Sequence, residues 1–147
     1  MSNPLVSVVI PVFNGARYIA EALNSVLVQT LKEFEIVVVN DGSTDSTAHI
    51  ISGYSDSRIR LVDHNNNYGL AEARNTGINN SRGKYIALLD GDDISDPTRL
   101  AEQVKEMERD QRIVFLGSWA TIIDDKSRPT GKLWKMESRD EDLRVLL

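Results

Sequence analysis

Ala87-Leu88-Leu89-Asp90-Gly91-Asp92-Asp93 decides how the rest of this 147-residue chain is read. The apolar run from Tyr85 to Leu89 stops abruptly in three carboxylates, the pattern of a buried strand that delivers acidic side chains to the carboxyl edge of a sheet. In open α/β proteins that edge is where ligands bind. Three neighbouring carboxylates repel one another unless one is protonated or a cation sits among them, and hard oxygen donors suit Mg2+ or Mn2+. The competing reading is a solvated loop whose Asp residues cap the next helix.

The chain before this stretch repeats a strand, loop and helix order. Val6-Ser7-Val8-Val9-Ile10 is a β-branched run ending at Pro11, as expected of a strand covered on both faces. Asn14 is placed to cap a helix whose apolar positions Ile19, Leu23, Val26 and Leu27 share one face. Ile36 to Val39 reads as a second buried strand; the polar run Asn40 to Asp45 and a helix through Ile50 and Ile51 follow it. Ile59 to Val62 is a third strand, then a polar loop from Asp63 to Gly69 and a helix from Leu70 to Ile78. Gly69 suits a turn and Gly77 a close helix contact.

Downstream, Asp96 before Pro97 predicts a capped helix with Leu100, Val104 and Met107 on one face. Ile113 to Ile123 reads as a strand with a bulge at Gly117, and Asp124-Asp125 as the turn after it. Ser138 and Glu141 form a capping box opening a helix through Leu143, Leu146 and Leu147. The βαβα order implies an α/β, three-layer α/β/α fold with one mostly parallel sheet, and residues 1–147 are expected to form a single domain that looks truncated at its C-terminus.

Composition narrows the function. The 41% hydrophobic and 27% charged contents are those of a soluble globular chain, large enough to bury about 70% of its unfolded surface. Without cysteine there is no disulfide or thiolate metal site, and a net charge of -5 argues against a nucleic-acid surface. The start, Met1-Ser2-Asn3-Pro4, carries no basic segment, and no run approaches the roughly 20 apolar residues of a membrane span. A cytoplasmic location is expected.

Four stretches in order resemble the family 2 glycosyltransferases of the GT-A fold. They are Ser7 to Asn14, Val38 to Asp45, Asn67 to Ile78 (with Ala73-Arg74-Asn75), and Leu89 to Asp93. The resemblance covers Leu5 to about Arg112. It implies a nucleotide-diphosphate sugar donor, with uridine diphosphate sugars favoured, and an inverting single displacement onto an acceptor hydroxyl. Pro11 and Phe13 would then lie against the base, Asp41 would accept its imide N–H, and Arg74 would face the diphosphate. The alternatives are core packing for Phe13, helix capping for Asp41, and for Arg74 an ion pair with an Asp of the same edge. Asp90 and Asp92 match the family's Asp-x-Asp: Asp92 would bind Mg2+ or Mn2+, Asp90 would reach the metal or the ribose, and Asp93 would support them.

One departure bears on the chemistry. The family usually has Asp where this chain has Asn40, which can donate as well as accept. The catalytic base is expected beyond Leu147, because the capping box assigns Glu141 of the pair Glu141-Asp142 to a helix start. The acceptor implied is a lipid-linked saccharide at the inner face of a membrane, in polysaccharide or glycolipid synthesis. A non-catalytic nucleotide-sugar-binding fragment is the alternative from outside the enzymes. A haloacid-dehalogenase-like phosphatase also uses strand-Asp-x-Asp, but on its first strand and with glycine where Asp93 stands. A dinucleotide-binding enzyme would need Gly-x-Gly-x-x-Gly after strand one, and Pro11 to Ala16 does not supply it.

Overall fold

The structure is a computed structural model that describes residues 3–135 and 145–146. Two compact units divide it, Met1–Ala101 and Glu102–Leu147. The first unit holds a parallel sheet of four strands: β1 (Val6–Val12), β2 (Phe34–Asn40), β3 (Ile59–Asp63) and β4 (Tyr85–Leu88). Between them run α1 (Ile19–Leu27), α2 (Thr47–Ser52) and α3 (Leu70–Asn79). The strand order is β3-β2-β1-β4, so the chain reverses its direction of travel across the sheet between β1 and β4. In open α/β sheets ligands bind outside the carboxyl ends of the strands at such a reversal.

Every residue of β1 and β2 is buried, the consequence of a β-branched run covered on both faces. Val9, Val37, Val39 and Ala73 form a core cluster, with Val62 packed against it. Burying each such aliphatic side chain contributes about 1.5–3 kcal/mol. Gly77 lets α3 approach this closely, since a Cβ there would collide with the side chain of Val9. Two polar residues interrupt the apolar strands, and they satisfy each other: Ser7 Oγ donates to Glu35 Oε1 at 2.7 Å, and Arg60 Nε donates to Glu35 Oε2 at 3.2 Å. Burial works against ionisation of Glu35, yet hydrogen bonds from Ser7 and the Arg82 backbone, with the Arg60 charge, hold its carboxyl below the usual range.

Of the face expected for α1, Ile19, Leu23 and Val26 are buried and Leu27 is half-buried, but the helix start is not as expected. The residue before it is Tyr18, without a side-chain cap, and Asn14 turns instead toward another loop. Strand β4 is also less enclosed than its apolar run implies. Ala87 and Leu89 are buried while Ile86 and Leu88 stay about 40% exposed, because β4 is an edge strand of this sheet.

Helix α4 (Arg99–Arg109) carries the chain from the first unit into the second. It begins two residues after Pro97. Asp96 Oδ1 accepts from Thr98 N and Oγ1 at 2.8 and 2.7 Å, while Gln29 Oε1 accepts the Leu100 N–H at 3.0 Å.

In the second unit, the single strand expected over Ile113 to Ile123 is two short ones, β5 (Gly117–Ser118) and β6 (Ala120–Ile123). Strand β6 pairs antiparallel with β7 (Pro129–Trp134), and the pairing slips between Thr121 and Ile123 rather than at Gly117. The turn at Asp124-Asp125 does form, closed by Asp124 Oδ1 accepting from Lys126 N and Arg128 N. The capping box Ser138–Glu141 lies outside the described residues. Val145–Leu146, expected in that helix, is a strand (β8) parallel to β5. No described helix is long and apolar enough to cross a membrane.

Candidate functional site

Three loops leave the carboxyl ends of β1, β2 and β4; hydrogen bonds join the first two, and close packing sets the third against β1. Asn14, at φ 50°, accepts the Thr44 N–H on Oδ1 at 2.8 Å, while its own N–H donates to Ser43 Oγ at 2.9 Å. The Ala16 N–H donates to Asp45 Oδ2 at 3.1 Å. The first and second loops thus form one rim. The third is pressed onto it at Gly91, where a Cβ would lie 3.1 Å from Val12 Cβ and 3.2 Å from the Pro11 carbonyl oxygen. A larger residue would push Asp90 and Asp92 away from β1.

On this edge the predicted residues have unequal settings. Pro11 is buried in β1, whereas the ring of Phe13 is 49% exposed and offers a face to a ligand. Asp41 is only 3% exposed. Its Oδ1 accepts from His64 Nδ1 at 2.7 Å and Tyr68 N at 3.0 Å, and its Oδ2 from Gly69 N at 2.8 Å. Burial opposes its ionisation, but the bonds from Tyr68, His64 and Gly69 outweigh that and hold the carboxyl below its usual range. Asp41 therefore clamps the loop before α3 rather than capping α2, whose first turn is served by Asp45 accepting Thr47 N at 3.0 Å. Gly42, at φ 69°, admits the backbone of Asn66 and Asn67 beside it.

Arg74, on α3, donates from Nη2 to Asp90 Oδ1 at 2.6 Å, so an ion pair with an Asp of the same edge is present. Its Nε is buried and has no partner. The Arg74 side chain is 34% exposed, so it is the open part of the guanidinium that an anionic oxygen from outside the chain could meet. Asp92 and Asp93 are both exposed. Partial desolvation, then the charges of Asp92 and Asp90, raise the Asp93 carboxyl above its usual range; Arg99 only partly offsets this.

This crowding of negative charge is what a hard divalent cation would relieve. Among the described residues no three His, Cys, Asp or Glu side chains form a metal-ready group. Asp90 and Asp92 are hard oxygen donors of the kind that hold Mg2+ by one or two carboxylates together with phosphate oxygens.

Sequence reasoning missed Gln29. It is fully buried, and its amide donates to Ser95 Oγ at 3.2 Å and to the Asp96 carbonyl, while its oxygen receives Leu100 N. With Ser25 Oγ accepting Ser95 N at 3.0 Å, α1 anchors the segment that follows Asp92 and Asp93. A polar residue at the end of an apolar helix face was the available signal. Asn40 is likewise engaged: Nδ2 donates to Asp63 Oδ1 at 2.8 Å, and Oδ1 accepts Ser43 N at 3.2 Å.

Comparison with known proteins places this arrangement. The chain is 42% identical over 126 residues to an uncharacterized glycosyltransferase of Rickettsia prowazekii strain Madrid E, covering 85% of this chain and 39% of that protein. It is 36% identical over 141 residues to one of Haemophilus influenzae, covering 90% and 44%. It thus spans less than half the length of these relatives. Among solved structures, S. aureus TarS 1-349 in complex with UDP-GlcNAc matches 71% of this chain and 31% of its own, with a TM-score of 0.67 and 30% identity. The mannosyltransferase PcManGT of Pyrobaculum calidifontis, in complex with GDP-Man and Mn2+, matches 73% and 33%, with a TM-score of 0.66 and 29% identity. The model of the glycosyl transferase family 2 matches residues 7–145, and with the GT-A-like parallel sheet and its shared carboxyl edge this chain belongs to that family.

Proposed function

We propose that the chain is the donor-binding part of an inverting glycosyltransferase that takes a uridine diphosphate sugar with Mg2+ or Mn2+ and passes the sugar to an acceptor hydroxyl. The observation that carries this reading is the meeting, on one sheet edge, of buried Asp41, the partly exposed Arg74–Asp90 pair, and exposed Asp92. Three of the four acceptor positions of the Asp41 carboxylate are used within the chain, leaving one on Oδ2 for a base N–H. Uracil and guanine, the bases of the nucleotides bound by the two structural neighbours, both carry such an N–H. Phe13 would pack on the base, against Pro11 at the end of β1.

Arg74 would turn its guanidinium fork to the diphosphate and neutralise charge that grows as the sugar departs. A bound Mg2+ or Mn2+ would be held by Asp92 and Asp90 and would supply Lewis-acid stabilisation of the leaving diphosphate. In the displacement the acceptor oxygen bonds to the anomeric carbon as the bond to the diphosphate breaks, and the hydroxyl proton passes to a carboxylate base. Asn40 cannot be that base, and we place it outside residues 1–147. A cytoplasmic location and a lipid-linked saccharide acceptor are part of the same proposal.

Titration calorimetry with uridine diphosphate, with and without Mn2+, tests the reading. Binding that tightens with the metal supports it; equal binding with and without the metal, or none, overturns it. A thermal-shift screen of nucleotide sugars would then name the donor, since ligand at about 100 times its Kd adds about 2.7 kcal/mol of stability.

A further inference from the structure

His64 joins three parts of this edge through one imidazole ring. Its Nδ1 meets Asp41 Oδ1 at 2.7 Å, its Nε2 meets Thr76 Oγ1 at 2.9 Å, and its ring stands edge-on to Tyr68 with centroids 5.2 Å apart. Because an ionised carboxylate only accepts, the proton between His64 and Asp41 sits on Nδ1, while Nε2 and the Thr76 hydroxyl are hydrogen-bonded partners. The ring's side chain is 11% exposed, so neither bond competes freely with water.

We propose that His64 is a positioning residue for base discrimination, holding the Asp41 carboxylate so that its one open acceptor site faces the base. This rests on the reading of Asp41 as the group that meets the base. A free carboxylate rotates, and either of its oxygens could meet a donor or turn away from a lone pair. With Oδ1 held by His64 and Tyr68 N, and Oδ2 by Gly69 N, the remaining lone pair has one direction. A base with N–H in that place is accepted. Cytosine N3 or adenine N1 brings a lone pair there, leaving two acceptors opposed. Sites built to hydrogen-bond a ligand group discriminate strongly against the analogue that lacks it. Through Thr76 the same ring is tied to α3, two residues beyond Arg74, so the group facing the base and the group facing the diphosphate share one support.

The test compares dissociation constants within each variant, because a ratio of two ligands is independent of the fraction of protein that is folded. Uridine is set against cytidine diphosphate, and guanosine against adenosine diphosphate, all with Mn2+. His64→Ala should lower the preference for the base that carries N–H by about tenfold or more, the worth of one charge-assisted hydrogen bond. Asparagine places its amide nitrogen near the position of Nδ1, and glutamine near Nε2. His64→Asn should therefore restore the preference and His64→Gln should not. Equal weakening of all ligands in His64→Ala, with ratios unchanged, would make His64 a structural residue and overturn the inference; so would rescue by glutamine alone. Asp41→Asn separates the two levels. If it too leaves the ratios unchanged, the reading of Asp41 fails, whereas a lost ratio in Asp41→Asn beside intact ratios in the His64 variants fails only the inference.

Discussion

Arg74 and Asp90 lie sixteen residues apart in sequence and meet at 2.6 Å on the sheet edge, with side chains 34% and 43% exposed. A pair so open to water contributes little to stability, about 0–1 kcal/mol. Under the proposed function its value would lie in holding a cationic fork beside the carboxylates for an anionic ligand. Arg74→Ala is expected to change the melting temperature little while weakening nucleoside diphosphate binding by about 10- to 100-fold, the worth of a charge-assisted bond to phosphate. Calorimetry beside a thermal melt checks this; a large loss of stability with unchanged binding would return Arg74 to a structural role.

Asp92→Asn should remove the metal-dependent increment of nucleotide binding and leave the metal-free affinity near that of the parent. Asp93→Asn should reduce the increment less. Titrations with and without Mn2+ separate the two, and an Asp92→Asn protein that still gains affinity from Mn2+ would displace Asp92 from the metal.

Asp93 also carries a pH signature. Its carboxyl lies above the usual range through partial desolvation and the charges of Asp92 and Asp90. A folded-state pKa above the unfolded value means that stability is fully present below the unfolded pKa, here 3.8, and declines as pH rises through the folded one. Without metal, Asp93→Asn should therefore melt above the parent near pH 7, with the advantage shrinking toward pH 3.8. Parallel melting curves across pH would contradict this.

Asp41 has the opposite sign. Its folded pKa is depressed, so its contribution is present above the unfolded value of 3.8 and is lost as pH falls through the folded one. Asp41→Ala would leave the Tyr68 and Gly69 N–H groups and His64 without their partner, at a cost of about 2–4 kcal/mol. Denaturant melts from pH 7 downward should show the cost of Asp41→Ala shrinking once pH falls below 3.8, and a cost that does not change with pH would contradict the depressed carboxyl.

Gln29→Leu keeps the volume but removes both the donor and the acceptor from a fully buried position. Leu100 N–H and Ser95 Oγ lose their partner, which is expected to cost about 2–4 kcal/mol. Because the same amide anchors the segment after Asp93, the metal-dependent part of nucleotide binding should fall more than the metal-free part. Equal loss in both would limit Gln29 to stability.

Transfer is the last expectation. If the base lies outside residues 1–147, the chain should bind donor yet transfer sugar about 100- to 10,000-fold more slowly than one extended at its C-terminus to the length of its relatives. Equal turnover by both would place the base within the residues seen here.

What the amino-acid sequence determined by itself is the local part of this protein. The runs Val6 to Ile10 and Ile36 to Val39 are strands, extended in the structure to Val12 and to Phe34–Asn40, and α1 has its buried face, because β-branched runs and apolar spacing act over a few residues. The acidic end of β4 and its place on the carboxyl edge of the sheet follow from the same pattern together with strand order. Tertiary structure decided which polar groups pair. Asn14 bonds to Thr44 thirty residues away instead of capping α1. Asp41 closes on His64 across twenty-three, and Gln29 reaches Leu100 across seventy-one. Even the exposure of Ile86 and Leu88 depended on β4 being an edge strand. A polar side chain can satisfy its hydrogen bonds equally well with several partners, so its sequence neighbours do not select one. Selection comes when strands and helices pack and only one donor or acceptor is left within reach.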